Sequence, residues 1–388
     1  MHSLEDQVSS ETDEIDEEDA SSGIGVVEPW DPKKIRITTK HFSLRDVVDQ
    51  IEDHEIDLAP EFQRDYVWKQ RQKTRLIESI LLGIPLPAFY FNQTQLGTYQ
   101  VVDGVQRLST ISAFMQNVHV LSAGDLEYLE DLDGAKYDSL DQAVLRRFRS
   151  TQIVVHVIEP QTPDEVKFEI FNRVNTLGSP LSPQEIRHAM GKKRSRAFLN
   201  DLVSLSHFDA ATEKYFWKKE EGELVRNSRR MTDRELALRF CAFFSFTEES
   251  YRKHPSLDRF LIEFLKRVDD PSHQDFLSDS ELDHLKRNFE NSMKIAHSVM
   301  GKAAFRRWPV VAKRRGPVNR AVFEAQAIAF AKYSLSDVLP HKDEIAKKLR
   351  LAFDDNEYLE AVTVSTGSIA RIRHRLDETR RIVEAIVA

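Results

Sequence analysis

The chain has 388 residues, 41% of them hydrophobic, enough to bury one large core or two ordinary ones. No apolar run approaches the ~18–20 residues that span a bilayer, and the N-terminus is acidic rather than signal-like, so a soluble, cytoplasmic protein without membrane partners is expected. Cys241 is the single cysteine, which excludes an internal disulfide and a cysteine-based zinc cluster; flanked by Phe240, Ala242 and Phe243, it reads as a small core residue.

Residues 1–32 carry eleven acidic side chains and no Lys or Arg, with no periodicity, and are predicted to form a disordered acidic tail. The net charge of −8 resides there: the remainder holds 55 basic against 52 acidic side chains. Lys34 to Thr39 alternates as an entering strand. Ser43 is placed to cap a helix from Leu44 to Glu52, whose Leu44, Val47, Val48 and Ile51 share a face. A second helix runs from Lys69 to Leu82 and stops at Gly83 and Pro85. Strands follow at 88–92 and 98–102, then a helix over 106–116, short helices and turns over 121–150, and a β-branched strand at 153–158. Pro163 opens a helix reaching about Asn175. Beyond it no strand is expected, only helices near 182–191, 195–207, 231–246, 256–268, 279–300, 318–334, 340–353 and 367–386. The fold class is therefore α+β: an α/β domain over 33–191 followed by an all-helical domain over 192–388.

Within the first domain, Tyr99-Gln-Val-Val-Asp103-Gly104-Val105-Gln106-Arg107 reads as a strand, a tight Asp-Gly turn and a helix opening on Gln-Arg. Gly104 permits a backbone conformation that lets the chain approach a ligand closely. The first helical turn presents unpaired N–H groups, and Arg107 in that turn adds a positive fork, which together suit phosphate oxygens. The competing reading is a plain β-to-α turn with a surface arginine.

Two further segments accompany this motif. One is Pro60-Glu61-Phe62-Gln63-Arg64-Asp65-Tyr66-Val67-Trp68, followed by Ser79-Ile80-Leu81-Leu82-Gly83-Ile84-Pro85. The other is Phe171-Asn172-Arg173-Val174-Asn175-Thr176-Leu177-Gly178-Ser179-Pro180-Leu181-Ser182-Pro183-Gln184-Glu185. In this order the three resemble the ParB/sulfiredoxin-like domain at the N-terminus of GmrSD-type (Type IV) restriction systems, over roughly Lys33 to Gly191 and without the C-terminal HNH nuclease grouping of those proteins.

The resemblance implies nucleoside-triphosphate binding and hydrolysis with magnesium. Gln63, Arg64, Gly104, Gln106, Asn172, Arg173 and Asn175 would contact the nucleotide, Asp103 and Arg107 would act in catalysis, and Asp103 and Asn175 would hold the metal through oxygen ligands. Asn175 falls on the Asn of the ParB box, and Leu181, Pro183 and Glu185 match its Leu-x-Pro-x-Glu half; Val174 and Gly178 replace the box's Glu and Arg. The family's usual Asp-Gly-Gln-Gln-Arg is here interrupted by Val105. Asp103 and Glu61 are the candidates for activating water. Phe62, Tyr66 and Trp68 either pack or stack on a base.

In the helical region a run from Lys302 to Arg320 contains no acid, and Arg306, Arg307, Lys313, Arg314 and Arg315 are candidate DNA contacts or a solvated face. Arg371, Arg373, Arg375, Arg380 and Arg381 form a second cluster, expected to pair within its own helix. Sulfiredoxin-type cysteine chemistry is excluded by the lack of a cysteine near Gln106-Arg107. Two functions remain: an NTP-binding and NTP-hydrolysing sensor or regulatory module related to restriction or phage-defence proteins, with nucleotide, DNA and a separately encoded effector protein as partners, or a non-catalytic DNA-binding or adaptor protein whose nucleotide pocket is vestigial or gates binding.

Overall fold

The computed structural model describes residues 32–58, 68–122, 124–174, 182–220, 222–228, 230–254 and 256–387, so residues 1–31 of the acidic tail, Glu61, Phe62, Gln63, Arg64, Tyr66 and Asn175 lie outside the described residues. The chain divides into two compact units between Met190 and Gly191. No helix among the described residues is long and apolar enough to cross a membrane.

The first unit is a mixed five-stranded sheet with helices packed on it. In chain order it contains β1 (Ile37–Ser43), α1 (Leu44–Glu52), β2 (Ile56–Asp57), α2 (Gln70–Leu81), β3 (Phe89–Gln93), β4 (Tyr99–Asp103), α3 (Val105–Met115), α4 (Gln142–Ser150), β5 (Gln152–Ile158), α5 (Asp164–Val174) and α6 (Pro183–Met190). The strand order is β1-β5-β3-β4-β2, with β1/β5 and β3/β4 antiparallel and β5/β3 and β4/β2 parallel. The Ser43 side chain accepts from the Asp46 N–H while Asp46 reaches back to the Ser43 N–H, a capping box that starts α1 at the expected residue. The entering strand begins at Ile37 rather than Lys34 and runs on to Ser43, because its ladder with β5 extends from Ile37↔Ile158 to Ser43↔Gln152. Leu44, Val47, Ile77, Phe89, Phe91, Leu108, Ile111, Phe114, Val155 and Val157 make a core with no measurable exposure.

One buried acid organises the stretch between α3 and α4. Glu78, on α2, accepts N–H bonds from Glu127, Tyr128 and Leu129. Burial disfavours its charge, but these bonds and Arg75 prevail and hold the carboxyl below its ordinary range.

The second unit contains α7 (Lys193–Val203), α8 (Ser206–Ala211), β6 (Trp217–Glu220), β7 (Glu223–Arg226), α9 (Thr232–Phe244), α10 (Glu248–Arg252), α11 (Leu257–Asp269), α12 (Asp279–Met300), α13 (Arg320–Phe330), α14 (Leu335–Val338), α15 (Lys342–Leu351), α16 (Asn356–Ala361) and α17 (Ile369–Val387). The expectation of no strand here is corrected by the antiparallel β6–β7 hairpin. Its four-residue strands, Trp-Lys-Lys-Glu and Glu-Leu-Val-Arg, are mostly exposed and charged, so no apolar alternation marks them. The helix expected over 195–207 is two helices broken at Ser204 and Leu205.

The apolar core of this unit includes Cys241, whose thiol burial pushes further toward the neutral form. Through it runs a chain of buried charges. Arg239 bonds Glu235 on α9 and approaches Glu324 of α13 at 3.5 Å, Arg375 of α17 bonds Glu324, and Arg320 bonds Glu235 at 3.0 Å. The second basic cluster therefore does not pair mainly within α17. Arg371 reaches Glu360, Arg373 reaches Glu248 and Arg375 reaches Glu324; Arg380–Asp377 and Arg381–Glu378 are the intrahelical pairs.

Candidate functional site

β4 ends on Asp103, and Gly104 turns the chain into α3. Gly104 sits at φ 101°, ψ 8°, and no side chain caps the helix it opens. A Cβ at this position would stand 2.2 Å from Cδ1 of Phe89, so glycine is required both by the left-handed backbone and by the Phe89 ring. The close approach that Gly104 permits is thus made, within the protein, to Phe89.

Arg107 lies in the first turn of α3. Its Nη2 donates to Asp103 Oδ2 at 2.7 Å and to the Ala88 carbonyl at 3.2 Å, Nη1 donates to the Pro87 carbonyl, and the guanidinium covers the Phe89 ring at 4.2 Å. The side chains of Arg107 and Asp103 are 12% and 33% exposed. Burial raises the Asp103 carboxyl above its ordinary range, opposed by Arg107 and the Gly104 N–H; burial lowers the Arg107 guanidinium, opposed by Asp103. The arginine therefore ties the start of α3 to the entry of β3.

Gln106 accepts the Trp68 N–H at 3.3 Å, linking the motif to the start of α2. Val105 is 4% exposed and belongs to the apolar core, which explains why an apolar residue is accommodated where the family motif carries Gln. Asn172 is half-buried on α5, a helix that packs against β4 and α6. Arg173 is 75% exposed and lies 3.7 Å from Glu169. In the ParB-box match, Pro183 opens α6, and Ser182 and Glu185 bond each other's backbone N–H as a capping box, so both have a folding role. On the same helix Gln184, Arg187 and His188 are buried, with Arg187 Nε donating to Gln184 at 2.9 Å; polar residues at this spacing carry no local signal of burial.

Strand register adds residues that local patterns do not reveal. Thr39 stands opposite His156, His156 opposite Tyr90, and Tyr90 opposite Asp103, a transverse row across four strands. Along β3 and β4, Asn92 Nδ2 donates to Gln100 Oε1 at 3.1 Å. No group of three or more His, Cys, Asp or Glu among the described residues could hold a metal by itself.

Residues 44–190 match the family described as GmrSD restriction endonuclease, N-terminal domain. This part of the chain is a GmrSD N-terminal domain. No curated protein matches the chain. The GmrSD N-terminal domain so defined runs from the first residue of α1 to the last of α6, and contains the Asp103–Arg107 motif and all but β1 of the sheet.

Outside the GmrSD N-terminal domain, the basic run of the second unit separates into two classes. Arg306 is 3% exposed, donates to the Gly316 carbonyl at 3.0 Å and covers the Tyr215 ring, so it is a structural cation rather than a DNA contact. Arg315 is bound to Glu213 at 2.9 Å, and Arg307 is half-buried. Lys313 and Arg314 are exposed, beside Val311 at 83% exposure. The loop that carries them is ordered at its base. Arg306 bridges Val318, and Arg350 of α15 bonds the Trp308 and Pro309 carbonyls while covering the Trp308 ring at 4.6 Å.

Proposed function

We propose that the GmrSD N-terminal domain of this chain binds a nucleoside triphosphate with magnesium and hydrolyses it, as the sensor or regulatory module of a restriction or phage-defence system that acts through an effector protein. The observation that carries this reading is the helix entry: α3 opens without a side-chain cap, at a glycine, directly after an acid that is locked to an arginine in the same turn. Such an N-terminus offers N–H groups and a positive dipole to phosphate oxygens. Asp103 and the Pro87 and Ala88 carbonyls hold Arg107 in place, so little side-chain entropy is lost on meeting an anion.

The residues present fit a magnesium ion, which commonly takes one or two protein carboxylates and completes its shell with phosphate oxygens and water. Asp103 is the carboxylate among the motif residues that would serve, sharing its oxygens with Arg107, and Asn175 is the second ligand the ParB resemblance implies. Bound there, magnesium would supply charge neutralisation of the departing phosphate. Arg107 would add to that neutralisation, and Gln106, tied to the Trp68 N–H, would keep the α3 entry in register with the start of α2.

Equilibrium binding of ATP, GTP, CTP and UTP with magnesium, with turnover measured separately, tests the reading. Arg107→Ala should weaken binding roughly 10- to 100-fold by removing a charge-assisted contact worth about 1.5–3 kcal/mol. Wild-type affinity in a folded Arg107→Ala protein would remove this site from nucleotide binding.

The second reading, a non-catalytic DNA-binding or adaptor protein, is favoured by the exposed Lys313, Arg314 and Val311 on a firmly held loop. It is distinguished by salt-dependent DNA affinity without triphosphate turnover.

A further inference from the structure

The transverse row beside Asp103 has no part in the phosphate contacts described above. Its members are chemically odd for a sheet face that only packs. Thr39 Oγ1 and His156 Nδ1 lie 3.0 Å apart, so the imidazole is held from the outer strand. The His156 ring centre is 5.0 Å from that of Tyr90, the two planes inclined at 46°. Tyr90 and His156 are both half-buried. Two residues along β3, the Asn92–Gln100 carboxamide pair continues the polar character, with Asn92 only 8% exposed. Apolar side chains would pack such a face without requiring hydrogen-bond partners.

From this arrangement we infer that the nucleobase of the bound triphosphate stacks on the Tyr90 ring, with His156 as a positioning residue that braces it. The inference rests on the nucleotide reading of the Asp103–Arg107 site. Tyr90 is the register partner of Asp103, one strand away, and neighbouring strands lie about 4.8 Å apart. Arg107 lies over the ring of Phe89, the residue before Tyr90 on β3, so a triphosphate at the α3 entry would reach Tyr90 around this end of the sheet. Every base offers a π-face, so an aromatic platform gives affinity irrespective of which base is bound. The Asn92 and Gln100 carboxamides, on the same pair of strands, are the kind of group that reads base edges.

The test compares nucleoside triphosphates with inorganic tripolyphosphate, both with magnesium, on the full chain. Wild-type protein should bind at least one triphosphate about 10-fold or more tightly than tripolyphosphate. Tyr90→Leu should lose that advantage and leave tripolyphosphate binding unchanged; Tyr90→Phe should keep it, and His156→Ala should show a smaller loss of the same kind. Equal wild-type affinity for tripolyphosphate and for all four nucleotides overturns the inference without any variant. So does full nucleotide affinity in folded Tyr90→Leu. If Arg107→Ala weakens nucleotide binding while Tyr90→Leu does not, the phosphate site stands and the base platform falls. If wild-type protein binds neither ligand, both fall.

Discussion

Tyr90 and Asp103 face each other across the β3–β4 ladder at the place where its register shifts, since the next paired residues are Phe91 and Val101. The shift leaves Val102 as the extra residue, and it is 3% exposed. A bulge of this kind re-aims the end of a strand. It brings the acid of the Asp-Gly turn level with the Tyr90–His156 pair while the turn itself still leads into α3 over Phe89.

Gly104→Ala should destabilise the first unit strongly. The substitution adds a Cβ 2.2 Å from Phe89 at a φ of 101°, combining left-handed strain with overpacking. A loss of about 2–4 kcal/mol is expected from the two effects together, read as a lower denaturation midpoint. A loss under ~1 kcal/mol would show that Phe89 moves freely.

Val105→Gln restores the usual family residue but places a carboxamide at a core position that is 4% exposed. Denaturant unfolding should show a loss of about 1–3 kcal/mol, with no gain in nucleotide affinity. Tighter nucleotide binding in the variant would mean that the side chain turns out of the core toward a ligand.

Glu78 predicts an acid limb in the stability of the first unit. Its folded carboxyl titrates below its ordinary range, so it contributes stability that is complete above the unfolded value of roughly 4.3 and is lost as pH falls through the lower folded value. Glu78→Gln should flatten the pH dependence in that window and loosen residues 127–129. Hydrogen exchange at the Tyr128 and Leu129 amides, compared between the two proteins, checks it.

The Glu324–Arg375 pair is fully buried in the second unit. Glu324→Gln should cost about 3–5 kcal/mol in thermal unfolding, because Arg375 then keeps its charge without its acid. Adding Arg375→Met should recover a large share of the loss. Additive losses in the double variant would argue against a coupled pair.

Arg306 and the Lys313/Arg314 pair should separate folding from ligand contact. Arg306→Ala removes a buried donor to Gly316 and should lower the melting temperature. Lys313→Ala with Arg314→Ala should leave stability within about 0.5 kcal/mol and reduce any salt-dependent retention on DNA. Unchanged DNA affinity across salt concentrations would mark the loop as a solvated face.

Local patterns in the chain determined the helix starts and the fold class. Ser43 with Asp46, and Ser182 with Glu185, cap helices through bonds that span only three residues, and the helix faces of Leu44, Val47 and Val48 follow from periodicity alone. The Asp103–Arg107 contact spans four residues, so the motif was visible as a unit, although its use of Pro87, Ala88 and Phe89 was not. Tertiary structure decided the rest. Arg306 and Lys313 look equivalent in a basic run, yet one covers Tyr215 in the interior and the other is exposed, because burial depends on the remote chain that folds against each. The row of Thr39, His156, Tyr90 and Asp103 is likewise invisible along the chain. Strand register joins residues as far apart in the chain as Thr39 and His156, and only those pairings place the four side by side.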